Sequence, residues 1–225
     1  MKFLIQTQNN KIVHDFSFTL IKSCEYQNWL NNPIKYRLTN EKIYPNYIPI
    51  GSVEFVLNYI STYYNIEIKP KNVPEELMDY YFTRRKIING TEKDIVGEKF
   101  VKSNDKIKSF TEICTLAPIG NYQISDIIDI DSEWRCFVYN SKLVGLQNYS
   151  GDFTKFPNVE KILKMISLYT KCSPAYTLDV GICDDDTVII EIHDFFSCGL
   201  YGFADHRILP FMFSRTFNSL INETI

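Results

Sequence analysis

The sequence lacks several features that would assign it to a familiar functional class. No run of Lys and Arg is long enough to follow a nucleic-acid backbone, and the formal net charge is -3, so extended nucleic acid is not an expected partner. No apolar stretch approaches the roughly 20 residues that a helix needs to cross a bilayer, and the N-terminus becomes polar too early for a signal peptide. We therefore expect a cytoplasmic protein that does not enter a membrane.

The sequence also lacks the motifs of several common nucleotide-binding and catalytic sites. No G-x-G-x-x-G or G-x-x-x-x-G-K-[ST] motif occurs, so the Rossmann fingerprint and the P-loop are both missing. The three histidines, His14, His193 and His206, are too scattered for a Ser-His-Asp or Cys-His catalytic arrangement. The six cysteines form no C-x-x-C pair, and we interpret them as reduced core residues.

The remaining composition is that of a globular protein, with 45% hydrophobic and 15% aromatic residues in a chain of 225. Hairpins rather than alternating β-α units predict an α+β fold with antiparallel sheet, divided into an N-terminal region, 1–72, and a larger domain, 73–225. Helices are predicted over 53–64 and 75–88 and after Pro157, where Asn158 is a suitable cap. Strands are predicted over 1–6, 16–22, 99–102, 123–129, 135–139, 142–148, 176–182 and 187–193.

The most informative pattern is the last hairpin, which carries Asp179 in an L-D-V-G stretch and Glu191 in an I-I-E-I-H stretch. A turn centred on Asp185 gives cross-strand partners whose numbers sum to 370, and 179 + 191 = 370. The two carboxylates would then face each other about 4.5–5.5 Å apart, where a cation such as Mg²⁺ makes their closeness tolerable. His193 shares the strand face of Glu191 and is a third candidate ligand. The alternative is a solvated acidic hairpin, because an even-length turn puts the two acids on opposite faces.

Two further stretches place positive charge beside short polar segments. Lys102 ends a predicted strand, a polar loop follows, and Lys108 leads into Phe110. Lysines on both sides of a loop can neutralise phosphate oxygens from two directions; the alternative is ordinary surface charge. Arg135 begins an apolar strand, where a fixed guanidinium can bind a phosphate or a carboxylate. The alternative there is a surface pair of Arg135 with Glu133, which would contribute little to stability.

Taken together, these stretches resemble the ATP-grasp superfamily, and most closely a small clade of phages and bacteria with one arginine and two lysines in the nucleotide site. The resemblance covers roughly residues 48–203, and the order and spacing of the motifs carry its specificity. It implies an ATP-grasp fold in which two lobes with antiparallel sheets grip the nucleotide, beside a short N-terminal α/β region. The matching stretches are 48–52, 100–110, 125–138 and 178–202.

The resemblance also implies roles for residues that contact ATP. Lys102 and Lys108 would bind the phosphates from the two sides of the loop. Arg135 would stabilise the transferred γ-phosphate, so that Arg135 and Lys108 are the expected catalytic residues. Ser125 and Asp126 would lie in the interlobe hinge, against adenine and ribose.

For the metal, the resemblance implies that Asp179 and Glu191 bind the Mg²⁺ ions that bridge the phosphates. The usual Glu-x-Asn of the superfamily is here Glu191 followed two residues later by His193. Imidazole is a poorer Mg²⁺ ligand than an amide oxygen. His193 is therefore as well suited to forming a hydrogen bond beside the metal site as to binding the metal.

The chemistry that the resemblance implies is ATP-dependent ligation of a carboxylate to an amine through an acylphosphate, with ATP and Mg²⁺ as cofactors and an amino acid, peptide or protein as substrate. Two alternatives stay open: a kinase-like phosphotransferase, and a catalytically degenerate nucleotide-binding or structural protein. The region before about residue 72 is short for a complete substrate domain. A partner or the second subunit of a homodimer would then complete the acceptor site.

Overall fold

A three-stranded parallel sheet contains the first strand of the chain. The computed structural model describes residues 1–107 and 109–222. The central strand is β1 (Lys2–Gln6), and it pairs in parallel with β2 (Lys35–Thr39) on one side and β3 (Ile48–Ile50) on the other. The strand predicted over 1–6 is confirmed.

The segment between β1 and β2 is the helix α1 (Asp15–Trp29), so the strand predicted over 16–22 is wrong. Richness in Phe, Ile and Leu predicts a strand there, but Phe18 is 57% exposed while Phe16 and Leu20 are buried. Burial instead follows Phe16, Leu20, Cys24 and Gln27, at helical spacing. Two parallel strands need a long crossover connection between them, and this helix supplies it.

Two more helices belong to the same compact unit, which contains residues 1–67, 173–176 and 194 onward. The predicted helix over 53–64 is confirmed as α2 (Val53–Tyr64): the Ser52 hydroxyl accepts from the Phe55 amide at its start, and left-handed Asn65 ends it. The helix α5 (Leu209–Asn222) was not predicted. None of the helices in the described residues is long and apolar enough to span a membrane.

The second compact unit, residues 68–172 and 177–193, contains two four-stranded sheets. One sheet has the order β4-β7-β5-β6 and consists of antiparallel pairs. The other has the order β11-β10-β8-β9. The domain boundary near residue 72 stays a prediction. The strands of the first sheet are β4 (Ile87–Thr91), β5 (Lys99–Ser103), β6 (Thr111–Cys114) and β7 (Asn121–Ser125).

The helix predicted over 75–88 is wrong. A 3₁₀ turn (Glu75–Leu77) and a single-turn helix, α3 (Tyr80–Thr83), stand in its place. Arg84 then takes a left-handed conformation, with φ of 50°, which ends the helix. The following residues pair with β7, where Ile88 lies opposite Ile124. Pairing with a distant strand has therefore overridden the local helical pattern.

The predicted hairpin at Asn140-Ser141 is confirmed. It joins β8 (Ser132–Tyr139) to β9 (Lys142–Gly151), and both turn residues have positive φ, 48° and 57°, as a two-residue hairpin requires. The helix predicted after Pro157 is α4 (Val159–Leu168), and the Asn158 side chain accepts from the Lys161 amide as the expected cap.

Candidate functional site

The hairpin that carries the two acids consists of β10 (Ala175–Cys183) and β11 (Asp186–Asp194). Its turn has two residues, Asp184 and Asp185, both in the left-handed region with φ of 48° and 58°. The prediction of a three-residue turn centred on Asp185 is therefore wrong. By itself, a two-residue turn would put Asp179 and Glu191 on opposite faces of the hairpin.

An extra residue in β11 restores the predicted pairing. The turn makes Cys183 and Asp186 the closing pair, whereas further along the Phe195 amide donates to the Ala175 carbonyl at 3.3 Å. Ala175 precedes Cys183 by eight positions, but Phe195 follows Asp186 by nine. One residue more on one strand of an antiparallel pair is a β-bulge, and beyond it partner numbers again sum to 370.

Two hydrogen bonds locate this bulge beside Glu191. The Ile189 carbonyl accepts from the Arg85 guanidinium at 2.9 Å, and the Ile192 amide donates to the Asn72 carbonyl at 2.7 Å. In a regular strand, every second residue points its backbone N–H and C=O away from the partner strand. Ile189 and Ile192 are three residues apart, and yet the carbonyl of one and the amide of the other both point away from β10. The alternation must therefore shift by one residue between them. The bulge therefore turns Glu191 onto the face of Asp179.

The three predicted metal-ligand candidates come together on that face. One ligand atom from each of Asp179, Glu191 and His193 lies within 4.8 Å of the other two. Asp179 is buried, while Glu191 and His193 are half-buried, so the cluster opens toward the β11 side. Two carboxylates at this separation need positive charge close by.

Arg135 supplies that charge to Asp179. Its Nε donates to Oδ1 at 2.8 Å and its Nη2 to Oδ2 at 2.7 Å, which makes a bidentate ion pair. The two side chains are 9% and 2% exposed, respectively. Arg135 is therefore buried rather than part of the surface pair with Glu133 that was the alternative.

Lys102 and His193 stabilise the negative charge of Glu191. The Lys102 ammonium donates to Oε2 of Glu191, and Nε2 of His193 lies 2.6 Å from Oε1. Burial acts to raise the pKa of the Glu191 carboxyl, but the hydrogen bond and charge of His193, together with those of Lys102, hold the pKa well below its usual value. Glu191 is therefore an anion at any pH near neutrality.

The expected adenine hinge lies next to Lys102. Lys102 and Gln123 are directly opposite each other in β5 and β7, and the buried Ser125 ends β7. Asp126 follows, and its carboxylate accepts from the Lys99 ammonium at 2.6 Å. Lys108, the second expected phosphate ligand, lies outside the described residues.

Sequence reasoning missed Tyr149. The pairing of β8 with β9 shifts beside Glu133, and this shift turns the Tyr149 ring toward Arg135, whose Cζ is 5.6 Å from the ring centroid. Burial, the Asp179 charge and a hydrogen bond to Glu133 raise the pKa of the Tyr149 hydroxyl well above its usual value. The ring therefore covers the guanidinium that bonds Asp179. No sequence pattern indicates it, because an irregular register does not show in residue spacing.

The sequence from residue 82 to residue 210 matches the family described as ATP-grasp domain, R2K clade family 2. This stretch is more than half of the chain. No curated protein matches the sequence.

Several solved structures resemble the chain in fold. A D-alanine–D-alanine ligase from Bacillus anthracis is 13% identical with a TM-score of 0.53, and the alignment covers 99% of each chain. A RimK domain ATP-grasp protein from Sphaerobacter thermophilus DSM 20745 is 12% identical with a TM-score of 0.51, covering 99% of this chain and 98% of that one. A D-cycloserine synthetase is 10% identical with a TM-score of 0.54, covering 98% and 100%. At these identities the likeness shows the fold alone.

The α+β ATP-grasp fold expected from the sequence is thus confirmed, and so is the resemblance to the superfamily. The selection of Lys102, Lys108 and Arg135 as the two lysines and the arginine of the nucleotide site stays a prediction. Because the family match spans more than half of the sequence, the chain belongs to the ATP-grasp proteins, in R2K clade family 2.

Proposed function

We propose that this protein is an ATP-dependent carboxylate–amine ligase. The observation that supports the proposal is the juxtaposition of Asp179, Glu191 and His193, within 4.8 Å, with the cations of Arg135 and Lys102 in contact with the two acids. Binding of a metal-bound triphosphate requires carboxylates for the metal and cations for the phosphate oxygens. This chain of the ATP-grasp family has both kinds of group in one cluster.

ATP-grasp enzymes use ATP and Mg²⁺, and the donor atoms in this cluster fit the metal. Asp179 and Glu191 offer the hard carboxylate oxygens that Mg²⁺ prefers, and both are on rigid strands. His193 already contacts Oε1 of Glu191 at 2.6 Å. We infer that Asp179 and Glu191 would hold the ion and that His193 orients Glu191, since imidazole is a poor Mg²⁺ ligand.

Arg135 and Lys102 would bind the phosphates. Without the metal, each of these cations neutralises one carboxylate. A bound Mg²⁺ would neutralise the same carboxylates and the phosphate oxygens. The guanidinium and the ammonium would then be available to phosphate oxygens at the same place. Arg135 suits the transferred phosphoryl group because its planar fork donates two parallel hydrogen bonds.

The reaction needs no nucleophilic side chain. The substrate carboxylate attacks the γ-phosphorus of ATP, the bond to the β,γ-bridging oxygen breaks, and ADP leaves. The amine then attacks the carbonyl of the acylphosphate, phosphate leaves, and the amine proton passes to solvent or buffer. Fixed cations stabilise the charge that develops on phosphoryl and acyl oxygens in both steps.

Calorimetric titration with Mg-ATP tests the binding half of the proposal. We expect the wild type to bind and Glu191→Gln to bind at least about tenfold more weakly, since a metal ligand is neutralised. The matched control is Glu112→Gln, at an exposed position of β6, which should bind as the wild type does. Equal affinity of the wild type and Glu191→Gln would overturn the proposal.

The catalytic half is tested by incubation with Mg-ATP and panels of amino acids and peptides, with measurement of ADP and phosphate. We expect both products in equal amounts and a new amide in the product. ADP with a phosphorylated hydroxyl and no free phosphate would identify a kinase instead. AMP and pyrophosphate would exclude the acylphosphate route.

A second candidate is a nucleotide-binding protein without turnover. The observation that favours it is His193, which stands where the superfamily usually has the amide of Glu-x-Asn and is bonded to Glu191. This candidate predicts Mg-ATP binding that depends on Glu191 with no ADP formed from any substrate. His193→Asn would then be expected to restore turnover, because an amide oxygen is a better Mg²⁺ ligand.

A further inference from the structure

Asn72 lies outside every strand, yet it is almost fully buried, at 5% exposure. Its backbone is left-handed, with φ of 47°. Its carbonyl accepts from the Ile192 amide at 2.7 Å, and its side-chain Nδ2 donates to the Ser103 carbonyl at 3.0 Å and to Oδ1 of Asn104 at 2.8 Å. Asn72 thus forms hydrogen bonds with polar groups of two segments that are far apart in the sequence, 103–104 and 192.

Those segments carry the charges of the candidate site. Ser103 directly follows Lys102 on β5, and Ile192 lies between Glu191 and His193 on β11. The two strands belong to different sheets, and the Lys102–Glu191 ion pair connects them. Asn72 joins the same two strands through backbone groups adjacent to the charged residues, so its bonds constrain how far apart the strands lie.

The residue after Asn72 is fixed as well. The Gln123 side chain accepts from the Val73 amide at 3.0 Å and donates to the Val73 carbonyl at 2.9 Å, as a paired strand would. Gln123 lies opposite Lys102 in the sheet. The segment of Asn72 and Val73 is therefore bonded to three strands, β5, β7 and β11.

Asparagine suits this position for two physical reasons. It adopts the left-handed conformation at lower cost than most residues, and its amide can donate to two acceptors at once. Glycine can adopt the backbone conformation but would lose both side-chain bonds, which leaves a buried carbonyl at Ser103 with one partner fewer and holds the bond to Ile192 less firmly.

We propose that Asn72 is a positioning residue that sets the spacing between Lys102 and Glu191, and hence between the phosphate-binding ammonium and the metal-binding carboxylate. This inference rests on the proposed function, because it concerns where a metal-bound triphosphate fits. Asn72 acts through the two strands, so its effect differs from that of Glu191, which would bind the metal itself.

The test compares Asn72→Gly with a matched control, Asn65→Gly. Asn65 is also left-handed, with φ of 55°, but ends α2 in the first unit. Each variant is titrated with Mg-ATP, and hydrogen exchange of the Ile192 amide is followed without ligand. We expect Asn72→Gly to weaken Mg-ATP binding about 5- to 30-fold, because without these buried hydrogen bonds a smaller fraction of the free protein has the competent strand spacing, and to speed exchange at Ile192. Asn65→Gly should change neither quantity.

The results separate this inference from the proposed function. Wild-type affinity in Asn72→Gly, in a protein that binds Mg-ATP, would overturn the inference and leave the ligase proposal standing. No binding by the wild type would overturn both. If Asn72→Gly does not fold, Asn104→Ala removes one acceptor of Asn72 without changing its backbone and is expected to weaken binding by a smaller factor. Unchanged affinity in that variant would likewise overturn the inference.

Discussion

The buried ion pair between Arg135 and Asp179 makes a quantitative prediction for Asp179→Asn. The substitution keeps the size of the side chain and one carbonyl oxygen but removes the negative charge. Arg135 then remains buried, at 9% side-chain exposure, with one of its two bidentate bonds lost or reversed in polarity. A buried cation without its anion is strongly destabilising in the folded state.

The expected cost follows from that burial. Removal of one partner of a buried ion pair costs about 3–5 kcal/mol, and the retained oxygen places Asp179→Asn near the lower end, at about 3 kcal/mol. A matched control is Asp126→Asn. Asp126 pairs with Lys99 at 2.6 Å, but the side chains are 44% and 29% exposed, so the expected loss is about 0–1 kcal/mol.

Urea unfolding followed by tryptophan fluorescence measures both variants. Trp134 is 7% exposed and adjacent to Arg135 on β8, so its emission reports on this sheet. Trp29 is 78% exposed, and a Trp29→Phe background removes its signal. The double variant Arg135→Met/Asp179→Leu removes both charges and should be less destabilised than Asp179→Asn, because apolar residues of similar volume need no counter-charge.

Two results would refute this reasoning. One is an Asp179→Asn protein whose free energy of unfolding lies within about 0.5 kcal/mol of the wild type, the range of ordinary surface substitutions. The other is a double variant at least as destabilised as Asp179→Asn, which would mean that the uncompensated charge of Arg135 is not what lowers the stability.

Two other predictions concern the second compact unit, residues 68–172 and 177–193. Burial raises the pKa of the Asp186 carboxyl, but its ion pairs with Lys161 and Arg84 outweigh this and lower it. Asp186→Asn should therefore cost about 1–3 kcal/mol at pH 7. The difference from wild type in urea unfolding should shrink as the pH falls through the unfolded pKa of about 3.9 and vanish only below the lowered pKa of the folded state; a constant difference would contradict this. Gly151→Ala should lower the unfolding free energy by more than Gly97→Ala: both have positive φ, 73° and 70°, but a Cβ at Gly151 would lie 2.2 Å from a carbonyl oxygen, whereas Gly97 has open space. Equal costs would show that backbone conformation alone matters.

The candidate site was predictable in its chemistry and less so in its geometry. The residue types of the last hairpin, with acids among apolar neighbours on both strands, are enough to indicate Asp179 and Glu191. Asp179 and Glu191 lie close together, although the turn has two residues and not three, because a bulge between Ile189 and Ile192 adds the missing residue. A bulge depends on what an edge strand bonds on its outer side, here Arg85 and Asn72, and these lie about a hundred residues away in the sequence.

Features that a few neighbouring residues control could be predicted from the sequence: the tight turn at Asn140-Ser141, the cap at Asn158, and strands such as β1 and β5. Long-range packing makes residues 16–22 helical and places the end of the predicted helix over 75–88 in a strand, because burial and strand pairing outweigh local propensity. It also decided that Arg135 bonds Asp179 and that Asn72 joins β5 to β11. Turns and caps depend on contacts within four residues, whereas the site depends on charges from strands that meet only after the chain has folded.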